Sequence, residues 1–303
     1  MRRRTPPPPS PLPQLNGVDP VRVRLPAAGG WATVRDHLVA RLAAGDGVID
    51  GMLDAGRIVD ATGRPVARDT AYAPGMYVWF HRELADEERV PFPIEVVHRD
   101  EHIVVADKPH FLATTPRGSH VAETALARLR RDLGLPALGA AHRLDRLTAG
   151  LVLFSTRPGT RDAYQRLFRE RRIVKTYEAI APALPGQAFP LERHSRLVPG
   201  EPFFRMAEVP GEPNARTRIE VIDGEGPWWR YRLDPETGRK HQLRVHMAAL
   251  GAPIRGDDLY PELNTAGQGD ATPALQLLAK ALAFEDPLTG ESRQFRSQLA
   301  LGR

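Results

Sequence analysis

The chain is 303 residues long, with 42 Lys and Arg against 37 Asp and Glu, a formal charge of +5 and no cysteine. Disulfides, thiolate nucleophiles and cysteine-held zinc are therefore excluded, and the basic balance leans toward a polyanionic partner. A basic start, MRRRTPPPPSPLPQL, leads into no apolar run, and no stretch approaches the roughly 18 apolar residues of a membrane span, so a soluble cytoplasmic protein is expected.

The length suggests two domains. Residues 1–19 carry the proline block Pro6 to Pro9 with Pro11 and Pro13, which can form neither helix nor sheet ladder and reads as a flexible tail. In residues 20–83, Thr33 can cap a helix carrying Val34, Leu38 and Leu42, and Val48 to Ala55 predicts a second helix closed by Gly56. Arg57 to Asp60 and Gly75 to Phe80 read as strands around the turn Ala61-Thr62-Gly63-Arg64. The stretch DAGRIVDATGRPVARDTAYAPGMYVWFHR resembles the end of an S-four-like RNA-binding domain, a small α+β unit.

After an acidic linker, Leu84 to Glu88, residues 84–303 are predicted to form the main domain. Ile94 to His98 and Ile103 to Ala106 predict two apolar strands ending at Lys108-Pro109. No internal repeat, zinc spacing, P-loop or GxGxxG pattern occurs, so neither a nucleotide cofactor nor a metal is expected.

The segment HRLDRLTAG, residues 142–150, precedes the apolar run Leu151 to Phe154. Loops held by a rigid strand are where reactive groups sit, and Arg143 and Arg146 flank Asp145 and favour its ionised form. Taken alone, the pattern fits a structural ion-pair cluster as well as a reactive carboxylate. Pro158 can open a helix whose exposed side carries Arg161, Arg166, Arg169, Arg171 and Arg172. Ile173 to Ile180 alternates as a strand, which puts Lys175 and Tyr177 on one side. In GRKHQLRVHMAALGAPIRGD, residues 238–257, Leu243, Met247 and Leu250 recur at helical spacing and Gly251 ends the helix. Arg244 falls with His241 and Ala248 on another face, and His241 and His246 lie on different faces, unlike a zinc site.

Together, HRLDRLTAGLVLFS, KTYEA and GRKHQLRVHMAALGAPIRGD resemble the three ordered motifs of RluA-type pseudouridine synthases, a likeness spanning about residues 90–303. Ala149, Lys240 and Ala252 depart from the pattern, where the family usually has serine, threonine or serine, and histidine. The resemblance implies an α+β catalytic domain built on an extended, largely antiparallel mixed sheet. It also implies an isomerase of uridine in RNA that needs no cofactor; the N-terminal domain, which family members acting on ribosomal RNA often carry, points to ribosomal RNA over transfer RNA, and a monomer is expected. Asp145 would be the nucleophilic or electrostatic carboxylate, Tyr177 the ring against the flipped uracil and Arg244 the partner of the carboxylate. Arg143 would help displace the base from its stack, and His142, Lys175 and Gln242 would join it in holding substrate. Two other readings predict different outcomes: a glycosidic hydrolase would need a second carboxylate, and an inactive RNA-binding protein on the same fold would bind without converting uridine.

Overall fold

The computed structural model describes residues 8–42, 45–82, 87–263 and 274–302, and the chain divides into two compact units, residues 1–87 and 88–303. Residues 1–7 of the expected tail and residues 84–86 of the expected linker lie outside the described residues. In the rest of the tail Leu15 and Val18 pair as a short bridge, and the carbonyl of Pro13 lies 2.8 Å from the His81 ring nitrogen Nε2.

In the first unit, β1 (Val21–Arg24), β2 (Val59–Asp60) and β3 (Tyr77–Phe80) form an antiparallel sheet ordered β1-β3-β2, with helices α1 (Val34–Leu42) and α2 (Asp46–Asp54). Thr33 opens α1 reciprocally. Its hydroxyl accepts the Asp36 N–H at 3.2 Å while the Asp36 carboxylate accepts the Thr33 N–H at 3.1 Å, a capping box with aspartate in place of glutamate. Gly56 follows α2 at φ +63°, the left-handed turn expected there. Val23, Leu38, Ile49, Leu53, Ile58 and Val78 close the core. Strand β1 was not among the expected elements: VRVR is short and buries only Val23, so its period-two signal is weak. The strand expected over residues 57–60 shrinks to two residues, because Ile58 and Asp60 turn back to bond Val66 and Arg64.

The second unit is built on one sheet of eleven strands. In chain order it comprises β4 (Glu95–Arg99), β5 (Ile103–Lys108), α3 (Ala125–Leu133), β6 (Gly139–Ala140), β7 (Ala149–Ser155), α4 (Pro158–Arg169) and β8 (Ile173–Pro182). There follow β9 (Leu191–Pro199), β10 (Met206–Val209), β11 (Ala215–Asp223), β12 (Trp228–Pro235), α5 (Gln242–Ala249), β13 (Leu277–Glu285) and β14 (Ser292–Arg296). The main path runs β10-β9-β11-β12-β8-β13-β7-β5-β4. The β13–β7 pairing is parallel and the other pairings are antiparallel, so the α+β, largely antiparallel mixed sheet implied by the motifs is the observed architecture.

Strand β7 is buried along its whole length, which explains its unbroken apolar run. Val152 and Phe154 pack with Leu126 and Leu129 of α3 on one face, while Leu151 and Leu153 pack with Tyr164 and Leu167 of α4 on the other. A third cluster joins Leu243 and Met247 of α5 to Ala179, Tyr231 and Leu277. Helix α5 thus turns the face carrying Leu243 and Met247 inward, as its spacing predicts. At the β13–β7 junction Gly150 adopts φ +110°, and a Cβ there would meet the Ala279 backbone oxygen at 2.4 Å, so only glycine lets the two backbones approach.

Candidate active site

The loop between β6 and β7 carries Asp145, and its shape is imposed by the chain between β5 and α3. Thr114 accepts the Leu144 N–H at 3.1 Å and donates to the Leu144 carbonyl at 2.8 Å. Lys108 donates to the Arg146 carbonyl at 3.3 Å, and His110 Nδ1 lies 2.7 Å from the Leu147 carbonyl. Both residues adjacent to Asp145 are therefore held by their backbones, and a closing turn runs from the Thr148 N–H to the Asp145 carbonyl at 3.1 Å. Lys108 also donates to the carbonyls of Pro109 and Leu112, and its burial lowers its pKa to about 7. Sequence reasoning stopped the strand at Lys108-Pro109 without giving these side chains a role.

Asp145 faces a cleft of about 690 Å³ shared by His142, Arg143, Lys175, Tyr177, Gln242 and Arg244. Its carboxylate is 35 % exposed, and among the described residues it is the only carboxylate lining the cleft. Arg143, Arg169, Arg171, Arg239 and Lys240 supply positive charge around it. Tyr177, on β8, is packed between two core clusters. Burial, then the charge of Asp145, push its hydroxyl pKa upward, so it stays a neutral phenol.

Arg244 departs from the expected pairing. Its guanidinium donates to Asp257 at 2.8 and 2.6 Å and to Asp258 at 2.7 Å, and no nitrogen of it lies within 4.0 Å of Asp145. The reason lies in the loop after α5: the Leu259 and Tyr260 N–H groups fix the Asp257 carboxylate, which presents a ready fork to the guanidinium. Asp145 still acts on Arg244 at longer range: burial alone would lower the guanidinium pKa, and the Asp257 hydrogen bonds followed by the charges of Asp257, Asp145 and Asp258 raise it.

The remaining predicted residues line the cleft with their polar groups largely engaged. His142 Nε2 accepts the Leu153 N–H at 3.1 Å and its ring stacks on Phe168 at 4.2 Å, while burial and then Lys175 lower its pKa to about 3. Lys175 donates to the Thr237 carbonyl at 3.0 Å, with burial and then Arg171 lowering its pKa to about 8. Gln242 accepts from Thr237 and the Arg239 N–H and donates to the Arg216 carbonyl and Thr217, bracing the loop before α5. Arg143 is exposed and makes no ion pair with a described residue, leaving its guanidinium available to a ligand.

The sequence spacing puts His241 and His246 on different faces, unlike a zinc pair. The two rings do serve different neighbours: His246 lies at 3.0 Å from both Ser195 and Thr217, whereas His241 Nε2 lies 3.8 Å from Asp145. Among the described residues no group of three or more His, Asp or Glu is placed to hold a metal.

A family model described as RNA pseudouridylate synthase matches residues 102–249, which contain the first two motifs and the third as far as Ala249. The dual-specificity RNA pseudouridine synthase RluA of Salmonella typhi is 34 % identical over 205 residues, covering 66 % of this chain and 91 % of that protein. The chain belongs to the RluA family. It is accordingly an RNA pseudouridine synthase, an isomerase with RNA as its partner. The RluA enzyme of Escherichia coli K12 is 33 % identical over 206 residues, 67 % of this chain and 91 % of its own. Ribosomal large subunit pseudouridine synthase D of Vibrio parahaemolyticus is 33 % identical over 245 residues, 74 % of this chain and 73 % of that protein. Among solved structures, human RNA pseudouridylate synthase domain containing 4 superposes with a TM-score of 0.53 at 25 % identity, over 69 % of this chain and 89 % of that one. The human domain containing 1 protein has a TM-score of 0.55 at 23 % identity, over 72 % and 94 %, a likeness of fold.

Proposed function

We propose that this synthase isomerises a uridine in structured RNA, ribosomal RNA in preference to transfer RNA, with Asp145 as the reacting carboxylate. The carrying observation is that Asp145 is the lone carboxylate among described residues lining a cleft whose other charged side chains are basic. Pseudouridine formation breaks the bond from ribose C1′ to uracil N1, turns the base and joins C1′ to C5; the C5 proton leaves and N1 gains one. No electron or group is supplied from outside, so an ionised carboxylate serves whether it adds to the base or to the ribose, and we assign no cofactor. A hydrolase cutting a glycosidic bond would ordinarily need a second carboxylate across the cleft.

The target base must leave its stack, at a cost of a few kcal/mol, which stacking on Tyr177 and phosphate contacts from the basic rim offset. Arg143, exposed and without an ion pair among the described residues, is assigned to fill the space the base vacates. Lys175, Gln242 and His142 hold the walls against which substrate rests. Arg244, held by Asp257 and Asp258, stands as a longer-range charge partner of Asp145.

The first unit is assigned to RNA capture. Arg22 and Arg24 are exposed on β1, with guanidinium carbons 6.0 and 5.9 Å from the Tyr77 ring centre, which joins positive charge to an aromatic face. The preference for ribosomal RNA rests on this unit and on the longer alignment with the large-subunit enzyme. The protein is assigned to the cytoplasm as a monomer; among the described residues no helix is long and apolar enough to cross a membrane.

Asp145→Asn tests the central assignment, since it removes charge while keeping shape. Single-turnover assays should find no pseudouridine, with RNA affinity and thermal midpoint nearly unchanged. Substantial turnover, or release of free uracil by the unaltered enzyme in place of pseudouridine, would refute it. Mapping pseudouridines across all RNAs of a strain lacking the protein identifies the target.

A further inference from the structure

We infer that His241 is a positioning residue for Asp145, holding a neutral Nε2–H toward the carboxylate while Tyr260 dictates which ring nitrogen carries the proton. The inference rests on the reading of Asp145 as the reacting group.

Four observations converge on it. His241 Nε2 is 3.8 Å from Asp145 Oδ1, the only Lys, Arg or His nitrogen within 4.0 Å of that carboxylate among the described residues. Its side chain is 7 % exposed, whereas that of Asp145 is 35 % exposed, so the imidazole is the fixed member of the pair. Its Nδ1 lies 2.9 Å from the Tyr260 hydroxyl, which already accepts the Met206 N–H at 2.7 Å. A phenol that accepts there has one proton to give, and Nδ1 is its acceptor, which leaves the histidine proton on Nε2. Finally, His241 stands just before α5 with φ 55° and ψ 16°, left-handed for a residue with a side chain, and such strained positions cluster where a group is aimed for function.

The chemistry requires a neutral donor here. A neutral Nε2–H orients the carboxylate through a hydrogen bond without adding a second full charge beside the reacting group. Burial keeps the ring neutral at working pH, pulling its pKa to about 4 against the opposing charge of Asp145. Arg244 is less suited to this task because its guanidinium is already held by Asp257 and Asp258. The 3.8 Å separation exceeds a hydrogen bond, and catalytic hydrogen bonds that are long in a free enzyme tighten when substrate fills the cleft.

Nitrogen-detected NMR of the full chain at pH 7, with His241 assigned by signal loss in His241→Gln, should show the Nε2–H tautomer. In single-turnover assays His241→Leu should slow the chemical step on the order of 10²-fold, the scale of a misplaced reacting group, with RNA affinity unchanged. His241→Gln, whose amide reaches the same place, should restore much of the rate. Tyr260→Phe should mix the tautomers and slow turnover, and it keeps the test open if His241→Leu fails to fold. An Nδ1–H or charged ring in the unaltered protein, a wild-type rate in His241→Leu, or a glutamine variant as slow as leucine overturns the inference. Turnover surviving in Asp145→Asn would instead overturn the reading on which it rests.

Discussion

Lys108 Nζ stands 3.3 Å from the carbonyl oxygen of Arg146, tying the end of β5 to the residue that follows Asp145. A fully buried side chain 38 positions away in sequence therefore helps set the backbone path of the reacting carboxylate. Lys108→Met keeps the aliphatic stem but strands three carbonyls, each costing about 1–3 kcal/mol when left unsatisfied. Thermal midpoint and single-turnover rate should fall together, with the rate remaining above that of Asp145→Asn. A variant as stable and as fast as the unaltered enzyme would show that the loop holds itself.

The buried pair between Arg244 and Asp257 carries a different expectation. Breaking such a pair typically costs about 3–5 kcal/mol, because the surviving charge is left uncompensated. Asp258 remains beside Arg244 in Asp257→Asn, so the loss should sit near the lower end of that range, read as a lower urea midpoint. Turnover should drop more than RNA affinity. Removing Asp258, whose side chain is 33 % exposed, should cost less.

Stability should decline on mild acidification. His142 is lowered to about 3 and His246 to about 4, in each case by burial first. Both fall below the ordinary histidine value, so as pH drops from about 6.5 toward 4 the unfolded chain takes up these protons first. Each histidine then subtracts up to about 1.4 kcal/mol per pH unit. Urea midpoints at pH 7, 6 and 5 should fall accordingly, and His142→Phe should flatten the dependence while lowering stability at pH 7. An unchanged slope in that variant would mean that His142 protonates in the folded protein.

For the first unit, Arg22→Ala with Arg24→Ala in the full chain should weaken RNA binding and reduce the slope of log affinity against log salt by about 0.9 or less per lost phosphate contact. Conversion of a short stem-loop at saturating concentration should persist. Unchanged affinity and slope would make β1 and its arginines purely structural.

Much of this was legible in the sequence because local patterns dictated it. The three motifs place Asp145, Tyr177 and Arg244 at one cleft, and the apolar run after Asp145 is the fully buried β7. What escaped were long-range contacts from side chain to backbone or between loops. Thr114 meets Leu144 across 30 positions and His110 meets Leu147 across 37, and no periodicity encodes such pairings. Arg244 was matched to Asp145, whereas Asp257, fixed by two backbone N–H groups, competes with better geometry. The spacing of His241 and His246 speaks only to a metal site and carries no sign that Asp145, 96 positions earlier, lies beside His241.

Strand β13 lies between β8, which carries Tyr177, and β7, which follows the Asp145 loop. The halves of the sheet bearing these two residues are therefore joined by a segment near the end of the chain, Leu277–Glu285, which pairs antiparallel with one and parallel with the other. Contacts of such large sequence separation form late, after the loop-closure entropy has been met. The three motifs lie outside this strand, so none of them supplies the pairing that unites β7 with β8. However complete the motifs are, the Asp145 and Tyr177 sides of the cleft share a sheet only through this one strand.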